Sequence, residues 1–392
     1  MQKNYRLIAF LAFAMYFLTG TAGIVVGSSL PHLVKMYGAE LDKVVLLGSA
    51  YAFGRVLTVY VTGRLVENIG PLKVLAGGVI LIAMFLVGIP TIVNLYAGMA
   101  FAFLGGIGMG AQDTVCPVLL SIAFREHYAG AMSAGQAFFG LGNFTTPFLV
   151  GVMLSGKLPF YYSYYILLIV PIVILICIPF TKVNKNIYEK DQIQEEEKVK
   201  PLYTKSRIPA YAAIIIGDIA YCAVVNGIMT YTSSFAESLG ISSSVSAFML
   251  TVYNVGCFAG ALAFVVILRK VKEQTVLLFN SMVALLAIVI MLMIDKVVFY
   301  FVGLLIAGFF LGVLFSVYVT IAARIDYQHI SRAGSLIAIA GGASDILTPI
   351  ITGAMVSLWG IGVSFKYVII MSVISIAAAI VLRMNTRERE KM

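Results

Sequence analysis

The sequence predicts an all-α membrane protein of twelve transmembrane helices in two pseudo-symmetric six-helix bundles. Three observations carry this. Of the 392 residues, 61% are hydrophobic and only 11% charged, a balance far from that of soluble globular chains. Apolar runs of roughly 20 residues recur from end to end, each long enough to cross about 30 Å of hydrocarbon at ~1.5 Å per residue. The second half of the chain also repeats the first at a fixed spacing.

The apolar runs cover residues 7–29, 44–62, 74–91, 95–122, 130–154 and 161–181, then 208–235, 244–268, 275–294, 297–322, 334–357 and 363–383. Backbone groups in lipid must satisfy one another, which leaves helices or a closed barrel, and uninterrupted runs lack the alternation of barrel strands. No room remains for a soluble domain. The first run follows Lys3 and Arg6 and contains the small residues Thr19-Gly20-Thr21-Ala22-Gly23, as a secretory signal would. With eleven more runs behind it, an uncleaved first helix is the preferred reading.

Residues 182–207 mix both charge signs with almost no apolar content and read as a cytoplasmic linker between an N-terminal bundle, 1–181, and a C-terminal bundle, 208–392. Placing both termini in the cytoplasm puts twenty-one Lys and Arg inside and five outside, with Arg55 left within the second run. That asymmetry predicts the orientation. It also explains the net charge of +9 as a basic inner membrane face rather than a nucleic-acid surface. The aromatic stretch at residues 160–165, FYYSYY, reads as an outer interfacial belt.

The repeat shows at an offset of 202, where HYAGAMSAGQAFFGLGNFTTPFLVG (127–151) lies over HISRAGSLIAIAGGASDILTPIITG (329–353). Thr146-Pro147 then matches Thr348-Pro349. The same offset sets Tyr51 and Gly54 on Tyr253 and Gly256, and two blocks at one spacing argue for duplication of a six-helix unit.

Charge inside a bilayer costs at least ~2.5 kcal/mol per group, so the deep ionisable residues are the functional candidates. There are four: Arg55, Asp113, Asp218 and Asp345. Asp218 is the least secure, since a shift of one turn in its helix end would bring it near the interface. Tyr51, Arg55, Thr58 and Thr62 fall on one face of the second helix. Gln136, Gly140, Asn143 and Pro147 share a face of the fifth, and the repeat sets Asp345 where the first half has Asn143. Tyr221 and Asn226 add polar groups beside Asp218. Two readings of Arg55 stay open: an anion clamp, or a structural partner of Asp113. The glycines of GGIGMGAQDTVCP (105–117) suggest a phosphate loop only in a βαβ setting, which this chain lacks; close helix packing is the plainer reading. Four separated cysteines and three scattered histidines indicate no disulfide framework, metal or cofactor. Nothing resembles a catalytic set, so no enzyme is expected, and no filter motif suggests a channel.

Twelve spans, two halves and a charged middle linker resemble the major facilitator superfamily. Its loop pattern G-x-L-x-D-R-x-G-R-K is met by Gly63-Arg64-Leu65-Val66-Glu67-Asn68-Ile69-Gly70, with Glu67 at the aspartate position and most basic residues missing. The resemblance implies a conformational gating loop around Gly63, Glu67 and Gly70. Many drug antiporters carry an arginine where this chain has Ala102, and Gly-Pro-x-x-Gly-Gly where it has Thr146-Pro147-Phe148-Leu149-Val150-Gly151. Span four instead resembles the fucose and glucose proton-symporter branch, through Gly106-Ile107-Gly108, Asp113-Thr114 and Cys116-Pro117, with Gln136 resembling that branch's glutamine. For Asp113 this implies proton coupling and sugar binding.

The expectation is therefore a multi-pass, monomeric transporter of the cell membrane, working in the lipid bilayer by alternating access. It would move a small polar solute, a sugar or an organic anion, by proton-coupled symport. A proton-coupled exporter of amphipathic drugs or metabolites is the alternative, permitted by the aromatic and methionine content.

Overall fold

Long apolar runs without turn chemistry fold here into long helices. The computed structural model describes residues 2–124, 128–183, 202–204, 207–268, 270–294, 296–325 and 330–388. Most of the linker expected at 182–207 lies outside the described residues. Among the described residues, eleven helices are long and apolar enough to cross a membrane. The helix at the second predicted span, Leu46–Ile69, is 24 residues long; some of its side chains lie outside the described residues.

The chain divides into two compact units, residues 1–193 with 233–251, and residues 194–232 with 252–392. The first contains α1 (Gln2–Tyr37), α2 (Leu41–Val44), α3 (Leu46–Ile69), α4 (Pro71–Thr91), α5 (Leu95–Ala123), α6 (Tyr128–Ser155), α7 (Tyr161–Leu167) and α8 (Ile169–Cys177). In this unit α5 packs on α3 and α4, and α1 packs on α5 and α6. Gly70, at a φ of +91°, separates α3 from α4, a backbone conformation that glycine takes without a steric penalty. Pro71 then supplies the first residue of α4, where its missing N–H costs nothing. The sixth predicted span is found as one stretch, Tyr161–Phe180, interrupted at Leu168 between α7 and α8. Pro171 has no N–H for the carbonyl of Leu167 and its ring crowds that carbonyl, so the helix breaks there.

The helices that follow are α9 (Arg207–Ser238), α10 (Ser243–Ile267), α11 (Glu273–Met293), α12 (Val297–Leu311), α13 (Leu314–Ile325), α14 (Ile330–Trp359) and α15 (Val363–Asn385). The tenth predicted span is likewise found as one stretch, Val297–Ile325, interrupted between α12 and α13 at Gly312 and Val313. In the second unit α11 packs on α12, α13 and α15, and α14 packs on α13 and α15. Arg324 at the end of α13 meets Glu273 at the start of α11 at 2.6 Å. One element was not foreseen: strand β1 (Leu202–Thr204) pairs antiparallel with β2 (Thr386–Glu388), which directly follows α15.

Each unit brings two of its helices together at a pair of glycines. A Cβ on Gly54 would strike the Phe103 carbonyl, and one on Gly106 would strike the Tyr51 carbonyl. In the second unit, Gly256 meets the Leu305 carbonyl and Gly308 the Tyr253 carbonyl in the same way. Every one of these positions is related by the offset of 202. The sequence repeat is thus a repeat of backbone contacts.

Candidate functional site

The close approach of α3 and α5 positions the central charges of the first unit. With no side chain at Gly106, α5 lies directly on the backbone of Tyr51 and Arg55. One helical face beyond that contact, Arg55 Nε donates to Asp113 Oδ2 at 2.7 Å. The side chains are 32% and 25% exposed respectively, so the pair is half-buried rather than sealed. Tyr51 is buried, with its ring 5.4 Å from that of Phe85 and its hydroxyl without a hydrogen-bond partner. The stripe continues along α3: Thr58 donates to the Gly54 carbonyl at 2.5 Å, and Thr62 meets Thr114 across the interface at 2.9 Å. The polar face read from the sequence therefore lies against α5.

The glycines of residues 105–110 divide the packing between two neighbours. Gly106 accommodates α3, while Gly105 faces the Phe85 ring and Gly108 the Gly78 carbonyl, both on α4. Next to Asp113, Gln112 is buried and accepts a hydrogen bond from Thr19 of α1 at 3.0 Å. On α6, Gln136 is exposed and the Asn143 Oδ1 is buried without a partner. The gating loop expected around Gly63 and Gly70 is helical as far as Ile69: Gly63 lies inside α3, and Gly70 alone separates α3 from α4; the side chain of Glu67 lies outside the described residues.

The second unit holds a separate polar group. Asn226 of α9 donates to Asp345 Oδ1 of α14 at 2.6 Å. Asp218, two turns earlier on α9, is fully buried, and neither of its carboxyl oxygens has a hydrogen-bond partner. It lies eleven residues inside α9, about 16 Å from the start of that helix at helical rise.

Three of these polar residues share a backbone setting that the sequence reading passed over. Asp113 precedes Pro117 by four residues, Asn143 precedes Pro147, and Asp345 precedes Pro349, and each proline is inside its helix. A proline has no N–H to give to the carbonyl four residues earlier. Each polar side chain thus sits on a turn whose own carbonyl has lost its helical partner. The spacing was visible in the sequence. The partnerships of Gln112 with Thr19 and of Asn226 with Asp345 were not, because they join residues 93 and 119 positions apart.

A bundle of long apolar helices with a half-buried ion pair between two of them is the architecture of a polytopic membrane protein. A family model described as "Major Facilitator Superfamily" matches residues 12–330. The chain belongs to that superfamily, whose members carry small molecules across lipid bilayers. It is similar to "Uncharacterized MFS-type transporter YfkL" of Bacillus subtilis (strain 168), at 26% identity over 373 residues, covering 93% of this chain and 92% of the relative. It is also similar to "Inner membrane transport protein YdiN" of Escherichia coli (strain K12), at 21% identity, covering 91% and 84%. Among solved structures, the crystal structure of the major facilitator transporter FucP in the outward conformation matches with a TM-score of 0.63 and 15% identity, over 96% of this chain and 98% of that one. At that identity the likeness is one of fold. Family and fold place the protein among transporters, not enzymes.

Proposed function

We propose that the protein is a secondary active transporter of the cell membrane that takes up a small polar solute, a sugar or an organic anion, by proton-coupled symport. The observation that carries this reading is the Arg55–Asp113 pair, half-buried and 2.7 Å apart in the interior of its unit. A carboxylate that loses its guanidinium partner in a poorly solvated site is favoured as the neutral acid, so it takes up a proton. A guanidinium released at the same moment suits bidentate binding of an anion or of vicinal hydroxyls. Proton binding and solute binding then favour the same open pair, which is the thermodynamic requirement for symport. Tyr51 lines this site; Asn143, Gln136, Asn226 and Asp345 are the further polar groups offered to the solute. The end of α3 from Gly63, with Gly70 after it, is the gating element.

On this reading the protein works as a monomer with both termini in the cytoplasm. Bundles 1–181 and 208–392 rock about the linker 182–207 to expose the site to each side in turn.

Proteoliposomes with an imposed pH gradient test this. Candidate sugars and organic acids are first ranked by the thermal stabilisation they confer. Asp113→Asn is expected to abolish gradient-driven accumulation while leaving solute exchange. Undiminished accumulation overturns the coupling role, and accumulation of amphipathic dyes in place of polar solutes overturns the substrate class.

A further inference from the structure

Asp218 has no part in the Arg55–Asp113 pair. It is fully buried in α9, and both carboxyl oxygens lack hydrogen-bond partners. Among the described residues, the titratable groups around it are Asp345 on α14, Tyr318 on α13, and Tyr221 and Cys222 on its own helix. None of these is a cation. The two hydroxyls are otherwise engaged: Tyr221 donates to the Leu311 carbonyl at 3.2 Å, and Tyr318 is 3.2 Å from the Ser375 hydroxyl. Across from Asp218 the wall is Gly341, where an added Cβ would lie 3.7 Å from Oδ2. Among the described residues neither a cation nor a donor reaches Asp218, and an ionised carboxylate in that setting is among the most costly groups a membrane interior can hold.

The repeat shows that the fold does not require an acid here. At the offset of 202, Asp218 corresponds to Tyr16. Tyr16 is buried, packs its ring on Gly135 and reaches Met132 Sδ with its hydroxyl at 3.8 Å. The position that in one half is filled by an aromatic ring is in the other filled by an unpaired acid.

We propose that Asp218 is a second proton-binding site, carrying its proton in the conformation described here and releasing it when the packing of α9 on α14 opens. Asp345, which accepts from Asn226 two turns along α9, is the other acid that interacts with it. On release the O–H bond breaks, the proton passes to water or to Asp345, and the electron pair stays on the Asp218 carboxylate. This rests on the reading of proton-coupled transport, but its primary test is independent of transport.

Infrared difference spectra of the purified protein in lipid, taken across a pH titration, read the carbonyl stretch of protonated carboxyl groups. A protonated-carboxyl band is expected at neutral pH in the wild type, in Asp113→Asn and in Asp345→Asn, and is expected to vanish in Asp218→Asn. Asp218→Asn should keep the wild-type melting temperature, since a neutral amide replaces a neutral acid, and should lower gradient-driven accumulation at least tenfold. If Asp218→Asn does not fold, Asp218→Glu is expected to retain a displaced band. A band unchanged in Asp218→Asn, or accumulation unchanged in it, overturns the proposal. Loss of accumulation in Asp218→Asn together with full accumulation in Asp113→Asn supports this site and sinks the Asp113 role alone.

Discussion

The α3–α5 contact of the first unit and the α10–α12 contact of the second are built on the same backbone plan and differ in what they hold. Gly54 and Gly106 let α3 and α5 touch; Gly256 and Gly308, each 202 residues on, do the same for α10 and α12. Yet the positions of Arg55 and Asp113 are taken in the second unit by Cys257 and Phe315. The glycine contact therefore forms without an ion pair. A pair that the twin contact dispenses with is poorly explained as structural glue, and this weighs against the reading of Arg55 as a mere lock on Asp113.

The sharpest way to break that comparison is to give the first unit the residues of the second. Single substitutions, Arg55→Cys or Asp113→Phe, each strand one charge and are expected to cost about 3 kcal/mol, the lower end of the range for removing one partner of a buried pair because this pair is half-buried, read as a fall in melting temperature in detergent. The double substitution Arg55→Cys/Asp113→Phe should recover most of that loss while leaving gradient-driven accumulation at background. Failure of the double variant to recover would show the pair to be structural after all.

Next in size is the glycine contact itself. Gly106→Ala and Gly308→Ala should each destabilise by about 1–3 kcal/mol, the range for overpacking, because the new Cβ meets a backbone carbonyl that cannot move aside. Gly77→Ala, with nothing within 4 Å of the added atom, should leave the melting temperature unchanged. A smaller effect is expected for Thr62→Val, which removes the hydroxyl contact with Thr114 at 2.9 Å. Interhelical hydrogen bonds in membranes average about 0.6 kcal/mol. The corresponding residue in the second unit is already Phe264, so transport should fall more than stability if the threonine serves the site.

Much of this was legible in the sequence because the bilayer reduces the choices. Once 61% of residues are hydrophobic, helices follow from backbone satisfaction alone, and the exceptional residues stand out. Arg55, Asp113 and Asp345 were found that way, and the offset of 202 that aligned Pro147 with Pro349 also aligned the glycine contacts. Less legible were features set by single backbone events. Pro171 divides the sixth span into α7 and α8, although other prolines, such as Pro147, stay inside one helix. The β1–β2 pairing joins residues nearly two hundred positions apart through three residues each, too short to leave a pattern. Asn226 was read as one polar group among several, since nothing in its neighbourhood on α9 announces Asp345 as its partner.

The prolines four residues after Asp113, Asn143 and Asp345 carry one more consequence. A helix yields most cheaply where a hydrogen bond is already missing, because bending there sacrifices nothing further. Each of these polar side chains therefore sits at the joint of a lever. Between Asp113 and the end of α5 at Ala123 the arm is ten residues, and a bend of about 20° over about 15 Å swings its tip by about 5 Å. A small local event at one of these polar groups is thereby passed on as a displacement several times larger at the helix end.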